Sequence, residues 1–225
     1  MHPTKNFTRI ASISCFISVI TTLGIHLWFA DPPADFEQRI FMFRDKLYLL
    51  NRWWVIAHCL LVIISMWGMA LFLIRKSPGF APLGFLFFAV FGLAEIYRQM
   101  YVLFYINGLR EQYSLATDPS VKEVLKNTLN QAGILSTPLF GLFVLSFGIG
   151  NLFYGFSLFN EKGLGKLLSF LLMFWAIGNF AALGNEFWRS SALSNYLEHY
   201  SYTYQPFMRL LLAIWLWNKS SILNN

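Results

Sequence analysis

Long apolar stretches alternate with short polar ones along this chain, and their lengths set the first expectation. A helix needs about 20 mostly apolar residues to cross the hydrocarbon core of a bilayer. Six stretches meet or approach that length, at 9–29, 53–74, 80–104, 133–157, 165–187 and 206–217. The last is the shortest and spans only if 220–223 extends it. The pattern predicts an all-α, polytopic integral membrane helix bundle, a single transmembrane domain over 1–225. Its inner connections, 75–79 and 157–163, are tight and its outer ones are long. Six spans so connected pair as three hairpins open to the outside.

Two of the long connections carry helical patterns of their own. In 35–50, Phe36, Ile40, Phe43, Leu47 and Leu50 recur at helical spacing, with Asp35 and Gln38 placed as a capping box. This predicts an amphipathic helix on the outer leaflet. In 118–129, Asp118 suits an N-cap and Pro119 the first helical position, with Val121, Val124, Leu125, Thr128 and Leu129 on one face. This helix should run into the fourth span. Trp53, Trp54, Tyr101, Tyr105, Trp188, Tyr196 and Tyr200 fall at the level expected of an interfacial aromatic belt.

Composition agrees with a bilayer. Of 225 residues, 56% are hydrophobic and only 12% charged, too apolar a balance for an ordinary water-soluble domain. The net charge of +6 raises nucleic acid as a partner, but the basic residues are scattered between apolar stretches and form no basic tract, which excludes that class. Their distribution orients the chain instead. With the N-terminus inside, Lys5, Arg9, Arg75, Lys76, Lys162, Lys166 and Lys219 all lie on the cytoplasmic side with a single acid, Glu161. Both termini are then cytoplasmic, in a plasma-membrane or inner-membrane type of bilayer. Lys5 and Arg9 before an apolar run resemble a signal peptide, but the run's length and Trp28 favour an uncleaved first span. Cys15 and Cys59 differ in depth by about 12 Å, so no disulfide is expected between them.

Ionisable groups inside spans are costly and need a partner or a purpose. Counting along the helices places His26, His58 and Glu95 about 6 to 8 Å below the outer boundary, with Glu186 near it and Arg98 and Arg189 one turn further out. These six residues form the candidate site, a polar layer in the outer leaflet. On the inner side the chief polar groups are Asn151 and Asn179. The pattern Glu-x-aromatic-Arg occurs twice, at Glu95–Arg98 and Glu186–Arg189, and Glu111-Gln-Tyr113 is echoed by Glu198-His-Tyr200. A faint internal duplication would account for both.

Each Glu and Arg spaced i to i+3 can neutralise the other on its own helix, so a purely structural or assembly role is one reading of the layer. The leading specific reading is binding or transport of a small anionic solute or a lipid headgroup, held by the forked guanidinium groups of Arg98 and Arg189. The alternative is a metal- or haem-dependent membrane enzyme, with His26, His58 and Glu95 as candidate ligands. No His-Glu-x-x-His, Cys-x-x-Cys-His or Gly-x-Ser-x-Gly element names a reaction or a cofactor. Small-residue faces at Ser146 and Gly150, Gly178 and Ala182, and Gly84 and Gly92 predict close helix contacts, within the chain or in a homo-oligomer.

Overall fold

A computed structural model describes residues 4–222; the side chains of Leu135, Tyr196, Glu198, His199 and Ser201 lie outside the described set, so the echo at Glu198 has no structural account. The described residues are all-helical, without strands. Helices α1 (Lys5–Leu27), α3 (Lys46–Leu73), α4 (Phe80–Met100), α6 (Pro119–Leu158), α7 (Leu164–Trp188) and α8 (Ser191–Ile222) are long; α2 (Phe36–Ile40) and α5 (Asn107–Leu115) are short. Five helical stretches are long and apolar enough to cross a membrane: α1, α3, the run from α4 through α5, α6 and α7. The sixth expected span falls within α8, which does not meet that standard.

Contacts between neighbours run α1 to α3, α3 to α4, α4 to α6, α6 to α7, α7 to α8 and α8 back to α1. The six long helices therefore close a ring, in which α6 faces α1 across the centre and α8 and α3 flank α1. The core holds the ring together through aromatic side chains. Phe88 packs on Phe147 and Tyr154, Phe91 on Phe143 and Phe147, and Phe147 on Trp175. Close approach and interhelical hydrogen bonds add to the association. Ser12 Oγ donates to Ala213 O (2.8 Å), Tyr154 OH to Met66 O (2.7 Å) and Ser169 Oγ to Gly155 O (2.7 Å). A Cβ at Gly150 would stand 2.8 Å from the Phe88 ring and 3.3 Å from the Gly84 carbonyl, so glycine is what lets α4 and α6 meet there.

The caps explain where helices begin. Asp118 Oδ1 accepts from Ser120 N, Pro119 follows it, and α6 runs unbroken for 40 residues as the pattern of 118–129 predicts. The expected helix over 35–50 does not form as one piece. Asp35 Oδ1 accepts from Gln38 N and starts α2, but Asp45 is extended (ψ 112°) and its carboxylate caps Leu47 N and Tyr48 N. A second N-cap inside the apolar repeat thus ends one short helix in a 3-10 turn (Phe41–Arg44) and begins α3. After α4 a π-helical turn over Tyr101–Ile106 leads into α5. Ile40, Ile106, Tyr113, Leu129 and Ala132 form a small second core at this end of the bundle, and Tyr113 OH donates to Glu37.

At the opposite end one carboxylate gathers three elements. Glu161, between α6 and α7, accepts hydrogen bonds from Lys76 at the α3 to α4 turn and from Lys219 near the end of α8 (2.9 Å).

Candidate functional site

A cavity of about 280 Å³ lies inside the ring, and all six long helices line it. From α1 come Thr22, Ile25 and His26, and from α3 Asn51, Arg52, Val55, His58 and Cys59. The α4 residues are Phe91, Glu95, Arg98 and Gln99. Phe140, Phe143 and Phe147 of α6, Asn179 of α7, and Gln205 and Arg209 of α8 complete the wall.

Four of the six candidate residues are brought together here: His26, His58, Glu95 and Arg98. Glu95 is buried and receives a two-pronged hydrogen bond from Arg98, Nε to Oε2 at 2.8 Å and Nη2 to Oε1 at 2.7 Å. Gln99 Nε2 also donates to Glu95 Oε1, and Gln99 Oε1 accepts from Arg52 Nη1 at 3.0 Å. A chain of polar contacts thus links α4 to α3, with Glu95 at its centre. His58 is buried with Nδ1 2.7 Å from Thr21 Oγ1, and the His26 ring stands edge-on to Tyr202 at 4.3 Å.

Glu186 and Arg189 stand elsewhere. Both are exposed at the end of α7, and neither lines the cavity. The cause is local. Arg189 takes a left-handed conformation (φ 52°) as the C-cap, and Asn185 clamps the reversal into α8 by accepting from Ser190 N (3.0 Å) and donating to Ser194 Oγ (2.8 Å). The helix that would set Glu186 and Arg189 one turn apart ends at Trp188, and among the described residues no ion pair joins them. The equivalent stretch of α4 continues past Arg98, so only the first Glu-x-aromatic-Arg forms a buried pair.

Pattern reading missed Arg209, which the apolar run 206–217 contains. Its side chain is 1% exposed, and Nε and Nη1 are buried without a hydrogen-bond partner. Its guanidinium carbon stands 5.6 Å from the Trp175 ring centroid and 5.8 Å from that of Phe147. No carboxylate pairs with it among the described residues. The level is deep: Cys15 Sγ contacts Arg209 O at 3.2 Å, and Cys15 is near the middle of α1, about 15 Å or more from either end. Side chains on a helix tilt toward its N-terminus, so from this level the guanidinium rises into the cavity. Asn51 Oδ1 and Arg52 Nε, also on the wall, lack partners too. Asn179, expected on the inner side, lines the same space. The signal for Arg209 was in the sequence, an arginine within a candidate span, but the run's neighbours Met208 and Leu210 to Leu212 hid it in an average.

Three guanidinium groups, of Arg52, Arg98 and Arg209, therefore face one carboxylate, that of Glu95. Arginine does not shed its proton in proteins, so the excess is real charge. A buried unpaired ion costs several kcal/mol even after relaxation, and a desolvated cation–π contact returns about 2 kcal/mol or more. The Trp175 and Phe147 rings thus offset part of that cost while leaving two nitrogens without a hydrogen bond. Among the described lining residues the guanidinium groups outnumber the carboxylates by two. The metal reading gains nothing from the geometry: among the described residues no three of His, Cys, Asp or Glu stand together as a metal-holding group. Cys15 and Cys59 are buried free thiols. No family model matches the chain, and neither a curated protein nor a solved structure matches it.

Proposed function

We propose that this chain is a six-span membrane protein, both termini cytoplasmic, whose central cavity binds a small anionic solute or the anionic headgroup of a lipid, with Arg209 as its anchor. The observation that carries the reading is the buried, hydrogen-bond-deficient guanidinium of Arg209 in a cavity with two uncompensated positive charges. Ionisable groups inside spans that face a cavity rather than lipid mark solute pathways and binding sites. Counting α8 as the sixth span is supported by the same residue. Arg209 lowers the hydropathy of that helix, yet it points inward, while Phe207, Leu210, Ile214 and Trp217 face outward. The orientation is supported by the tight connections at the Glu161 end, whose basic residues are accompanied by that single acid, whereas the basic residues of the outer connections are interleaved with acids.

The test is thermal unfolding of the purified protein in non-ionic detergent, titrated with inorganic phosphate and, separately, with micelles containing phosphatidic acid. A ligand at 100 times its dissociation constant stabilises by about 2.7 kcal/mol. A shift with phosphate assigns a free solute, and a shift only with the lipid assigns a headgroup. No shift with phosphate, an aryl phosphate or the lipid, all at millimolar concentration, overturns the reading.

A further inference from the structure

Beside its charged groups the cavity carries a run of aromatic side chains. Phe140, Phe143 and Phe147 follow one another on one face of α6, at i, i+3 and i+7. Together they make a wall about 10 Å long. Phe91 of α4 extends it, with ring centroids 4.6 Å from Phe143 and 4.8 Å from Phe147; Phe140 and Phe143 lie nearly parallel at 5.9 Å. Across the ring from α6 stand α8, α1 and α3, which bring Gln205, Arg209, His26, His58, Asn51 and Arg52. Glu95, Arg98 and Gln99 of α4 adjoin the same rings, with the Arg98 guanidinium 5.8 Å from the Phe140 centroid and that of Arg209 5.8 Å from Phe147, so charge and aromatic surface meet within one space.

Resting on the anion-binding proposal, we infer that the ligand is a small organic anion with a flat apolar body, an aryl phosphate or aryl carboxylate by class. The charged end lies on Arg209 and the ring lies along the phenylalanine wall. A bare oxyanion answers only half of this cavity. A water takes about 30 Å³, so a space of 280 Å³ around one small oxyanion would keep several waters against phenylalanine rings. A ring removes that apolar surface from water and stacks on it. The volume also sets a ceiling, since drug-sized ligands occupy pockets of about 300 to 1,000 Å³. A compact aryl anion fits; a two-chain lipid is not enclosed. Two uncompensated guanidinium charges favour a dianionic head, hence a phosphate monoester over a carboxylate.

The experiment compares inorganic phosphate, phenyl phosphate and phenol as stabilisers of the full-length protein in non-ionic detergent, with phosphatidic acid micelles as a fourth arm. Phenyl phosphate is expected to bind at least about tenfold more tightly than inorganic phosphate, with phenol giving no shift. Replacing Phe140→Leu and Phe143→Leu together keeps the wall apolar but not flat. That variant should lose about three- to tenfold of the preference while holding inorganic phosphate within about twofold. Equal affinity for the two phosphates in the unaltered protein, or a shift with phosphatidic acid and none with phenyl phosphate, overturns the aryl inference and leaves anion binding standing. No shift with any anion overturns both.

Discussion

The bundle has a charged cluster at each end, and the two are opposites. At the Glu161 end one carboxylate meets two ammonium groups, those of Lys76 and Lys219, and Lys76 is 59% exposed. Water can take up the surplus charge there, so the clasp is complete and needs no further partner. In the cavity the surplus is guanidinium, and its deepest member is 1% exposed with two nitrogens unbonded. The same formal excess of positive charge is bland at a wet surface and costly where the side chain is buried. That difference, rather than the count of charged residues, separates a structural clasp from a candidate site.

Removing the deep charge should give the largest effect. Arg209→Met keeps length and apolar packing while deleting the unpaired ion, and replacing a buried charge with a hydrophobic side chain is often neutral or stabilising by about 1–4 kcal/mol. The ligand-free variant should therefore melt at or above the temperature of the unaltered protein, and it should lose the whole anion-dependent shift. Both are read from one set of melting curves. A marked drop in ligand-free stability would show that Arg209 is a structural member of the core, and the contrast between the two ends would collapse.

Altering Glu95 should give a smaller effect of two opposite signs. Glu95→Gln frees Arg98 and breaks hydrogen bonds to a charged group, each worth about 1.5–3 kcal/mol, so ligand-free stability falls. The cavity gains a positive charge, so phosphate should bind about tenfold more tightly, a change of about 1.4 kcal/mol. Isothermal titration alongside melting separates the two. Weaker anion binding in this variant would place the ligand away from Arg98.

The helices and their caps were legible because periodicity and capping are local. Asp118 before Pro119 announces α6, and the long apolar runs announce the ring helices. Depth was legible too, since 1.5 Å per residue puts Glu95, His58 and His26 at one level. What the pattern could not supply was azimuth, meaning which side of each helix faces inward. Glu186 shares the Glu-x-aromatic-Arg pattern of Glu95 but ends exposed, because Asn185 and the left-handed Arg189 stop α7 one turn too soon. Arg209 was passed over for the opposite reason. A hydropathy average treats one arginine among leucines as a small debit, while its energetic weight in a span exceeds that of several leucines. The cut at Asp45 shows a third limit, since two valid N-caps within one apolar repeat leave the repeat undecided.

The smallest effect belongs to the clasp, and pH sharpens it. Burial pushes the Glu161 carboxyl up, but hydrogen bonds from Lys76 and Lys219 and their positive charges outweigh burial and hold it below its ordinary value of 4.5. A carboxyl with a depressed pKa in the folded state adds stability that is fully present above the unfolded value and is lost as pH falls through the folded one. With one partner largely exposed, the gain is about 1 kcal/mol or less per pair. Glu161→Gln should therefore melt slightly below the unaltered protein at pH 7. The gap should stay constant down to about pH 5 and close below the ordinary carboxylate value, where both side chains are neutral. A gap that opens only well above pH 5 would mean that burial wins over the two lysines. Added phosphate should leave this profile unchanged, because the clasp sits at the far end of the bundle from Arg52 and Arg98 and shares no residue with the cavity. A profile that moved with phosphate would join the two clusters into one device, and the division between clasp and site would have to be withdrawn.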